Sequence, residues 1–216
     1  MDIKVKALIY KFSPIICHIP FLNIFQGRIK IDFGNKIMMR SKVIAKGCNN
    51  SICFRGRGGI RNCRFYIDGN SNSIIIEDNA SVLGGIFHIE GNNNTIIIGK
   101  NTIISGHTQF ACIEGTKIEI GDECLFSANI TLRTGDSHSI LDINGNRTNP
   151  SLSISVGNHV WIGNTVIITK GVSIEDNCVI GTGTVLTKSV CEKGVIVAGN
   201  PGRIVKKEIN WDKKRI

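Results

Sequence analysis

The fold is decided by residues 156–186, which read VGNHVWIGNTVIITKGVSIEDNCVIGTGTVL. An aliphatic residue stands at every sixth position of this stretch: Val156, Ile162, Ile168, Ile174, Ile180 and Leu186. A second column of small or β-branched residues follows four positions later: Val160, Val166, Val172, Cys178 and Thr184. A helix repeats near 3.6 residues and a strand at 2, so a period of six indicates neither. It is typical of a prism-shaped solenoid in which each flat face takes six residues.

A longer period links this stretch to the earlier part of the chain. Similar blocks recur 22 residues apart, namely Gly47–Phe54, Gly69–Ile76, Gly91–Ile98 and Ile118–Ile120. We interpret each unit as three six-residue faces plus a turn of about four Asn, Ser or Gly residues, since repeats of this length are typical of solenoids. The six-residue step persists within the later units, at Ile98, Ile104 and Phe110 and again at Ile120, Phe126 and Leu132.

These repeats predict an all-β fold, a left-handed parallel β-helix. Two other solenoids share some of the pattern. Leucine-rich repeats have a similar unit length, but Leu is scarce here and no LxxLxLxxN pattern occurs. A right-handed β-helix tolerates 22-residue coils, but it has no reason to keep a strict step of six.

The predicted organisation has three parts. Residues 1–46 are expected to form an N-terminal cap segment, and residues 47–190 the β-helix. A loop at residues 133–155 is expected to leave the helix, because the step of six is lost there in a polar sequence. Residues 191–216 are expected to form a C-terminal turn and tail.

The N-terminal stretch Ala7–Phe25 is apolar. Lys11, Pro14 and Pro20 interrupt it, which argues against a membrane-spanning helix. We expect this stretch to cover the open first coil, because an uncapped solenoid exposes its core and its strand edges. Contact with a membrane surface is the alternative.

Charge is distributed unevenly along the chain. Residues 1–46 carry a net charge of +7, residues 47–187 carry −3, and residues 188–216 carry +5. A general nucleic-acid binder needs a basic stripe along its binding face, so this distribution argues against nucleic acid as a partner. Basic ends are compatible with anionic ligands.

The chain has eight cysteines and no CxxC motif. A small, weakly polar side chain suits the interior of a narrow prism. We therefore expect reduced and buried cysteines in a reducing compartment, with six of them inside the repeats: Cys48, Cys53, Cys63, Cys112, Cys124 and Cys178.

The polar loop is the first candidate for chemistry. Long loops in compact domains are usually functional, and this one contains Thr134-Gly-Asp136-Ser-His138. Histidine is the side chain best suited to proton transfer near neutral pH. Asp136 or a backbone carbonyl could fix the tautomer of His138. A surface histidine without a role is the other interpretation.

The motifs resemble those of a known family. The segments Val156-Gly-Asn-His-Val-Trp-Ile-Gly163, Ile180-Gly-Thr-Gly-Thr-Val-Leu-Thr-Lys-Ser-Val190 and Ala198-Gly-Asn-Pro-Gly-Arg-Ile-Val205 are similar to hexapeptide-repeat acyltransferases. The resemblance is greatest to the branch that O-acetylates sugars, including capsular polysaccharides. It covers about Ile118–Trp211 and is weaker before that.

The resemblance implies roles for particular residues. His138 would be the general base that deprotonates the acceptor hydroxyl, which then attacks acetyl-CoA directly without an acyl-enzyme. Trp161 would lie beside the acetyl and pantetheine groups and is assigned to both the catalytic and the cofactor-binding sets. The remaining cofactor-binding residues implied are Asn164, Gly183, Thr187, Lys188 and Arg203, and the expected acceptor-binding residues are Arg133 and Asp136.

One departure concerns the loop. Many sugar acetyltransferases have Pro after the catalytic His, whereas this chain has Ser139. The difference puts the loop shape in doubt, but not the histidine.

The resemblance also implies the partners. It predicts acetyl-CoA as co-substrate, no metal, a carbohydrate acceptor that is a polysaccharide, and a homotrimer with its site between neighbouring solenoids. The expected location is the cytoplasm, with the inner face of the membrane as an alternative through the N-terminal segment. N-acetylation of an amino or nucleotide sugar remains open, as does a non-catalytic β-solenoid binding protein. A zinc hydrolyase is disfavoured because the five histidines form no HxxxxH pair.

Overall fold

A computed structural model describes residues 24–214. Within these residues every regular element is a β-strand, and three sheets, parallel except at the last strand, form a left-handed β-helix of about seven turns. The predicted fold is therefore confirmed. We call the sheets faces A, B and C, and up to residue 186 the strands follow one another in that order.

Each face stacks the equivalent strands of successive coils. Face A contains β1 (Ile24–Gln26), β4 (Lys42–Lys46), β7 (Arg64–Asp68), β10 (Ile86–Glu90), β13 (Gln109–Ile113), β16 (Thr131–Arg133), β19 (Ile167–Ile168) and β22 (Val185–Leu186). Face B contains β2 (Lys30–Asp32), β5 (Ser51–Phe54), β8 (Ser73–Ile76), β11 (Thr95–Ile98), β14 (Lys117–Ile120), β17 (Ile154–Val156) and β20 (Ser173–Ile174). Face C contains β3 (Ile37–Met39), β6 (Gly59–Arg61), β9 (Ser81–Leu83), β12 (Ile103–Ser105), β15 (Leu125–Phe126), β18 (Trp161–Ile162), β21 (Val179–Ile180), β23 (Ile196–Ala198) and β24 (Arg203–Lys206).

The strand registers confirm both predicted periods. Ile52, Ile74, Ile96 and Ile118 are paired in succession, 22 residues apart, on face B. After the loop, Val156 pairs with Ile174, only 18 residues later. The residues of both predicted columns in the decisive stretch are buried. The interior positions repeat every six residues because each face contributes one anchoring side chain per coil.

The extra residues of the longer coils all lie at one corner. Ile98 to Ile104 and Ile104 to Phe110 are steps of six, whereas the step from Phe110 on face A to Ile120 on face B is ten. The Asn-rich turns therefore stack along the corner between faces A and B. Inside this corner, buried Asn72 and Asn94 accept and donate hydrogen bonds between coils.

The core beneath face A is aromatic in the early coils. Phe65 and Phe87 stack with their ring centroids 4.6 Å apart, and Phe87 and Phe110 stack at 4.9 Å. Leu132 and Ile168 continue the column in the shorter coils. Burial of these rings is the main stabilising contribution expected from this face.

The predicted boundaries of the β-helix differ from the observed ones. The sequence analysis began the solenoid at residue 47, whereas β1 to β4 already belong to faces A, B and C. It ended the solenoid at residue 190, whereas β23 pairs with β21 as a further strand of face C. The cap interpretation applies only to residues 1–23, which lie outside the described residues, as does most of Ala7–Phe25.

A buried lysine explains why the repeat pattern of the sequence did not predict the first coil. Lys36 occupies the inward corner position that Gly58 and Ala80 occupy in the next two coils. Its ammonium donates to the carbonyls of Arg57 and Ala80. A charged residue at an interior position interrupts the apolar pattern, so the sequence of this coil does not resemble that of the later repeats.

Lys36 should make folding stability depend on pH. Burial lowers its pKa from 10.5 to about 8, against the opposing effect of nearby carboxylates. Between pH 10.5 and pH 8 the Lys36 amine is protonated in the unfolded chain but neutral in the folded protein, so the free energy of unfolding decreases as pH falls. Below about pH 8 both states bind this proton and the decrease ends. We expect the free energy of unfolding of the wild type, relative to Lys36→Met, to rise by up to about 3 kcal/mol from pH 8 to pH 10.5.

Denaturant titrations of both proteins across this range provide the measurement. The buried thiols of Cys63 and Cys124, whose pKa values burial raises to about 11, titrate in both proteins and cancel in the difference. A constant difference between the two proteins at all pH values would contradict the assignment.

The cysteines of the described chain are free, and their burial is only partly as predicted. Cys63, Cys112, Cys124 and Cys178 are buried. The expectation of burial was wrong for two others: Cys48 is exposed and Cys53 is half-buried. Their positions are in turns or on outward-facing strand positions rather than inside the prism.

Candidate active site

The polar loop leaves the prism at the corner between faces A and B. It connects β16 to β17, close to the predicted limits of residues 133–155. Thr134 at its start is buried and remains bonded to the coil, because its amide donates to Ala111 and its carbonyl accepts from Leu152. Both ends of the loop are therefore fixed to the same corner.

The loop is a short hairpin with a defined turn. Leu141 and Arg147 form an antiparallel bridge. The carboxylate of Asp142 accepts from the amides of Asn144 and Asn146, both at 2.8 Å, which is a side-chain cap of the kind that Asp commonly provides in turns.

Asn149 is the centre of the loop. Its side chain is buried, and its amide donates to the carboxylate of Asp136 at 2.9 Å and to the carbonyl of His138 at 2.8 Å. Its carbonyl oxygen accepts from the amide of Ile140 at 2.7 Å. One side chain thus binds the Asp136 carboxylate before His138 and the backbone of His138 and Ile140.

An ion pair ties the returning strand of the hairpin to the preceding coil. Arg147 contacts both carboxylate oxygens of Glu114, at 2.8 Å and 3.0 Å. The hydroxyl of Ser151 donates to the same carboxylate at 2.8 Å. Arg147 and Ser151 together hold the pKa of Glu114 below its usual value. The hairpin is therefore anchored at its base as well as at its centre.

Asp136 is engaged by the next coil rather than by His138. Its carboxylate accepts from the Lys170 ammonium at 2.5 Å as well as from Asn149, and these contacts lower its pKa. The sequence analysis allowed Asp136 to fix the tautomer of His138, whereas here it fixes the position of the loop. The guanidinium of Arg133 donates to the Ser137 hydroxyl at 2.9 Å and braces the same turn.

His138 itself is exposed at the outer edge of this corner. Its backbone is held by Asn149 while its imidazole faces solvent. A fixed backbone with an exposed ring is suited to a ligand or a second chain that approaches from outside.

Trp161 lies on face C, where its side chain points outward and is 39% exposed. The C-terminal tail folds back beside it: the Trp211 ring lies 6.0 Å from the Trp161 ring and stacks on His159 at 4.3 Å. The indole N–H of Trp211 donates to the His159 carbonyl at 2.8 Å. Further along the tail, Lys213 donates to the carbonyl of Asn101. The tail therefore forms a ridge along one edge of face C.

Beside Trp161 runs a flat strip of small residues. The strip consists of Ser127, Gly163, Gly181 and Ala198, which lie in register on successive coils. It ends at Arg203, which pairs with Ala198. A Cβ at Gly163 would lie 2.8 Å from the amide nitrogen of Thr182, so a larger residue does not fit there. Gly163 is buried and packs closely against the next coil, so the strip carries no side chain at this position.

The other predicted cofactor-binding residues occupy two places. Asn164 and Gly183 lie together at the corner between faces C and A, where the Gly183 amide donates to the Asn164 carbonyl. The side-chain oxygen of Asn164 already accepts from the amide of Ala128. Thr187 and Lys188 instead follow β22 and lie exposed at the A–B corner, two coils beyond the loop.

The predicted site residues thus fall into two sets. Arg133, Asp136, His138, Thr187 and Lys188 lie at the A–B corner, whereas Trp161 and Arg203 lie on face C. In a triangular prism the corner between two faces is opposite the third face. One chain alone therefore does not bring His138 and Trp161 together.

Both sets carry exposed apolar side chains. The hairpin tip presents Ile140, Leu141 and Ile143, which are all exposed. Face C presents Ile103 and Trp161, with the half-buried Leu125 between them in register. Contiguous exposed apolar surface on a soluble fold marks an interaction site.

Several residues of the site were missed by the sequence analysis. Asn149, Glu114, Lys170 and Trp211 have no motif, because their partners lie up to 52 residues away in the sequence. The Asp-x-Asn-Gly turn at residues 142–145 is a recognisable hairpin signal and could have predicted the shape of the loop.

Residues 24–214 contain no group of three or more His, Cys, Asp or Glu side chains placed to hold a metal ion. Nor do these residues include a helix long and apolar enough to cross a membrane.

Comparison with known proteins matches residues 153–188 to the family described as bacterial transferase hexapeptide (six repeats). The galactoside O-acetyltransferase of Escherichia coli (strain K12) is 38% identical over 98 residues, which cover 45% of this chain and 47% of that protein. The polysialic acid O-acetyltransferase of Escherichia coli O1:K1 / APEC is 33% identical over 95 residues, which cover 44% of this chain and 31% of that protein. The chain spans less than half the length of either relative.

The fold similarity extends further than the sequence similarity. The crystal structure of the polySia specific acetyltransferase NeuO superposes with a TM-score of 0.78 at 25% identity, over 90% of each chain. The chain therefore has a left-handed β-helix fold, and part of its length is similar to sugar O-acetyltransferases.

Proposed function

We propose that this protein transfers the acetyl group of acetyl-CoA to a hydroxyl of a sugar in a capsular or other surface polysaccharide, and that it works as a homotrimer. The observation that carries the proposal is the pair of half-sites: an anchored loop that exposes His138, and a flat track on face C with Trp161 and Arg203. The similarity to galactoside and polysialic acid O-acetyltransferases supports the acceptor class.

The track fits the shape of the coenzyme. An extended pantetheine arm needs a narrow, flat path, and the strip from Ser127 to Ala198 spans three inter-strand steps, about 14 Å. Trp161 would pack against the arm. Arg203 would pair with phosphate, for which a guanidinium is well suited.

The chemistry requires a base and alignment. His138, in its neutral form, would accept the proton of the sugar hydroxyl as its oxygen adds to the thioester carbonyl carbon. The carbon–sulfur bond then breaks, and the proton on His138 passes to the departing sulfur. Alignment of the two substrates lowers the barrier further. Asn149 and Asp136 would act as positioning residues, since they hold the loop and not the reacting atoms.

The separation of the half-sites supports an assembly of more than one chain, which we propose is a trimer. If the A–B corner of one chain meets face C of the next, His138 comes to lie over the track, and the hairpin tip covers the apolar stripe of Ile103, Leu125 and Trp161. A contact between different surfaces repeats from chain to chain, and it closes into a ring of three if each contact rotates the next chain by one third of a turn. Three chains would then form three equivalent sites.

The acceptor class can be tested by following free thiol released from acetyl-CoA. Galactosides, oligomers of sialic acid, amino sugars and nucleotide sugars serve as acceptors. We expect release with a sugar that offers only hydroxyl groups, and a product that mild base hydrolyses, as it does an ester.

Other results would contradict the proposal in distinct ways. A base-stable amide formed only on an amino or nucleotide sugar would indicate N-acetylation. Absence of thiol release with every acceptor, together with absence of acetyl-CoA binding, would indicate a non-catalytic solenoid.

A further inference from the structure

A second surface feature lies on face A, away from both half-sites. A shallow depression of about 390 Å³ crosses β4, β7 and β10. Its outward-facing lining combines two rings, an aliphatic side chain and three charged groups: Tyr66, His88, Ile44, Lys46, Asp68 and Glu90. We call this depression the groove.

The two rings form the floor of the groove. Tyr66 and His88 are paired neighbours on adjacent strands, and their ring centroids lie 6.5 Å apart. Tyr66 is half-buried and His88 is exposed, so both present ring surface to solvent. Rings with an apolar face and a polar tip suit ligands that are apolar on one side and polar on the other.

The charged groups form one edge of the groove. Lys46 and Asp68 are paired at 3.2 Å, and Glu90 is the next residue in the same column. These side chains are exposed and offer several donors and acceptors in a row. A row of polar groups beside two neighbouring rings can bind sugar hydroxyls while the rings cover the C–H faces of the sugar.

The groove leads to the proposed reaction site. On face A, Tyr66 and His88 are followed in register by Ala111 and then by Arg133, at the base of the loop. Ala111 has a small side chain and is itself buried, so it does not project above its neighbours. Tyr66 and Arg133 are three inter-strand steps apart, about 14 Å. This separation exceeds the size of one sugar ring, so the path suits a chain of sugars.

The path is also compatible with the proposed assembly. In the proposed assembly the A–B corner meets face C of the next chain; the charged edge of the groove lies at that corner, whereas Tyr66 and His88 lie in the middle of their face A strands. Ile113 is the next residue in the column of Lys46, Asp68 and Glu90, and it lies beneath Gly135 of the loop. The groove therefore reaches the loop from the side of the earlier coils.

We propose that face A binds an oligosaccharide acceptor, with Tyr66 and His88 stacking on sugar units about three strand spacings from the one that is acetylated. The inference rests on the proposed function and adds where on the prism the acceptor chain would be held. It assigns a ligand class to a surface that lies outside the catalytic half-sites.

The test compares Tyr66→Ala with Tyr66→Phe, which keeps the ring, and with wild type. Acceptors are galactose-containing oligosaccharides and sialic acid oligomers of increasing length. For wild type we expect kcat/KM to rise with length until the chain reaches Tyr66. Tyr66→Ala should lose about tenfold in kcat/KM for long acceptors, through KM, and keep wild-type values for the shortest acceptor, whereas Tyr66→Phe should resemble wild type throughout.

A binding measurement separates this inference from the proposed function. Calorimetry with the same oligosaccharides, without acetyl-CoA, should show binding by wild type and His138→Ala, and loss of binding in Tyr66→Ala with an unchanged Tm. If no sugar is acetylated but this binding pattern is found, the groove assignment stands and the proposed function fails. Equal effects of Tyr66→Ala on short and long acceptors, or no oligosaccharide binding by wild type, would overturn the inference.

Discussion

Replacement of His138 by Ala is expected to lower kcat for sugar acetylation by at least about a hundredfold, because a positioned general base contributes about 10²–10⁴-fold. The loop holds the His138 backbone through Asn149, so the substitution removes the imidazole without releasing the loop. The hairpin anchors at Glu114 and Asp136 do not involve the His138 side chain. The loss should therefore appear in catalysis and not in stability.

Binding of acetyl-CoA should be unchanged in the same variant. The chain contains only two tryptophans, Trp161 and Trp211, and both lie beside the proposed coenzyme track. Their fluorescence therefore reports on that site alone. His107→Ala is the matched control, since His107 is an exposed histidine outside the loop. A His138→Ala protein with near wild-type kcat would remove His138 from the role of base.

The fold was predictable because its signal is periodic. Each face of the prism needs one inward side chain per coil, so Val156, Ile162 and Ile168 recur at a fixed spacing that a single sequence displays. The loop was predictable for the converse reason: a prism that loses its period must eject the chain. Both inferences depend on the repeat alone and need no knowledge of side-chain contacts.

The first coil was not predictable from the same signal. Lys36 takes an interior position and reaches carbonyls of two later coils, a solution that only the stacked structure reveals. The extra strand at Ile196–Ala198 was missed because the chain after Leu186 no longer keeps the step of six. Deviations from a repeat at its two ends are expected where terminal coils must be covered.

The chemistry of the site was only partly predictable. Motifs identified His138, Trp161 and Arg203 as candidates, and these remain predictions. The contacts of Asn149 and Lys170 were not predictable, because irregular loops carry no period and their hydrogen bonds depend on the folded path. The placement of the candidates on opposite sides of the prism required the order of the faces, which the registers supply.

The separation of the half-sites leads to the second large effect. Two inactive variants should restore activity when they assemble together. One variant is His138→Ala, which keeps an intact face C. The other is Trp161→Ala combined with Arg203→Ala, which keeps an intact loop. If each site joins the loop of one chain to face C of the next, every mixed trimer contains one complete site out of three.

The central claim is that catalysis requires two copies of this chain, and co-expression of the two variants with different affinity tags tests it most directly. Sequential purification on both tags isolates mixed assemblies, and acetyl transfer is then measured with acetyl-CoA below its KM. The account predicts about one third of the wild-type rate in mixed assemblies, and almost none in either variant alone. Mixed trimers as inactive as the separate variants would show that one chain holds the whole site, and would contradict the account.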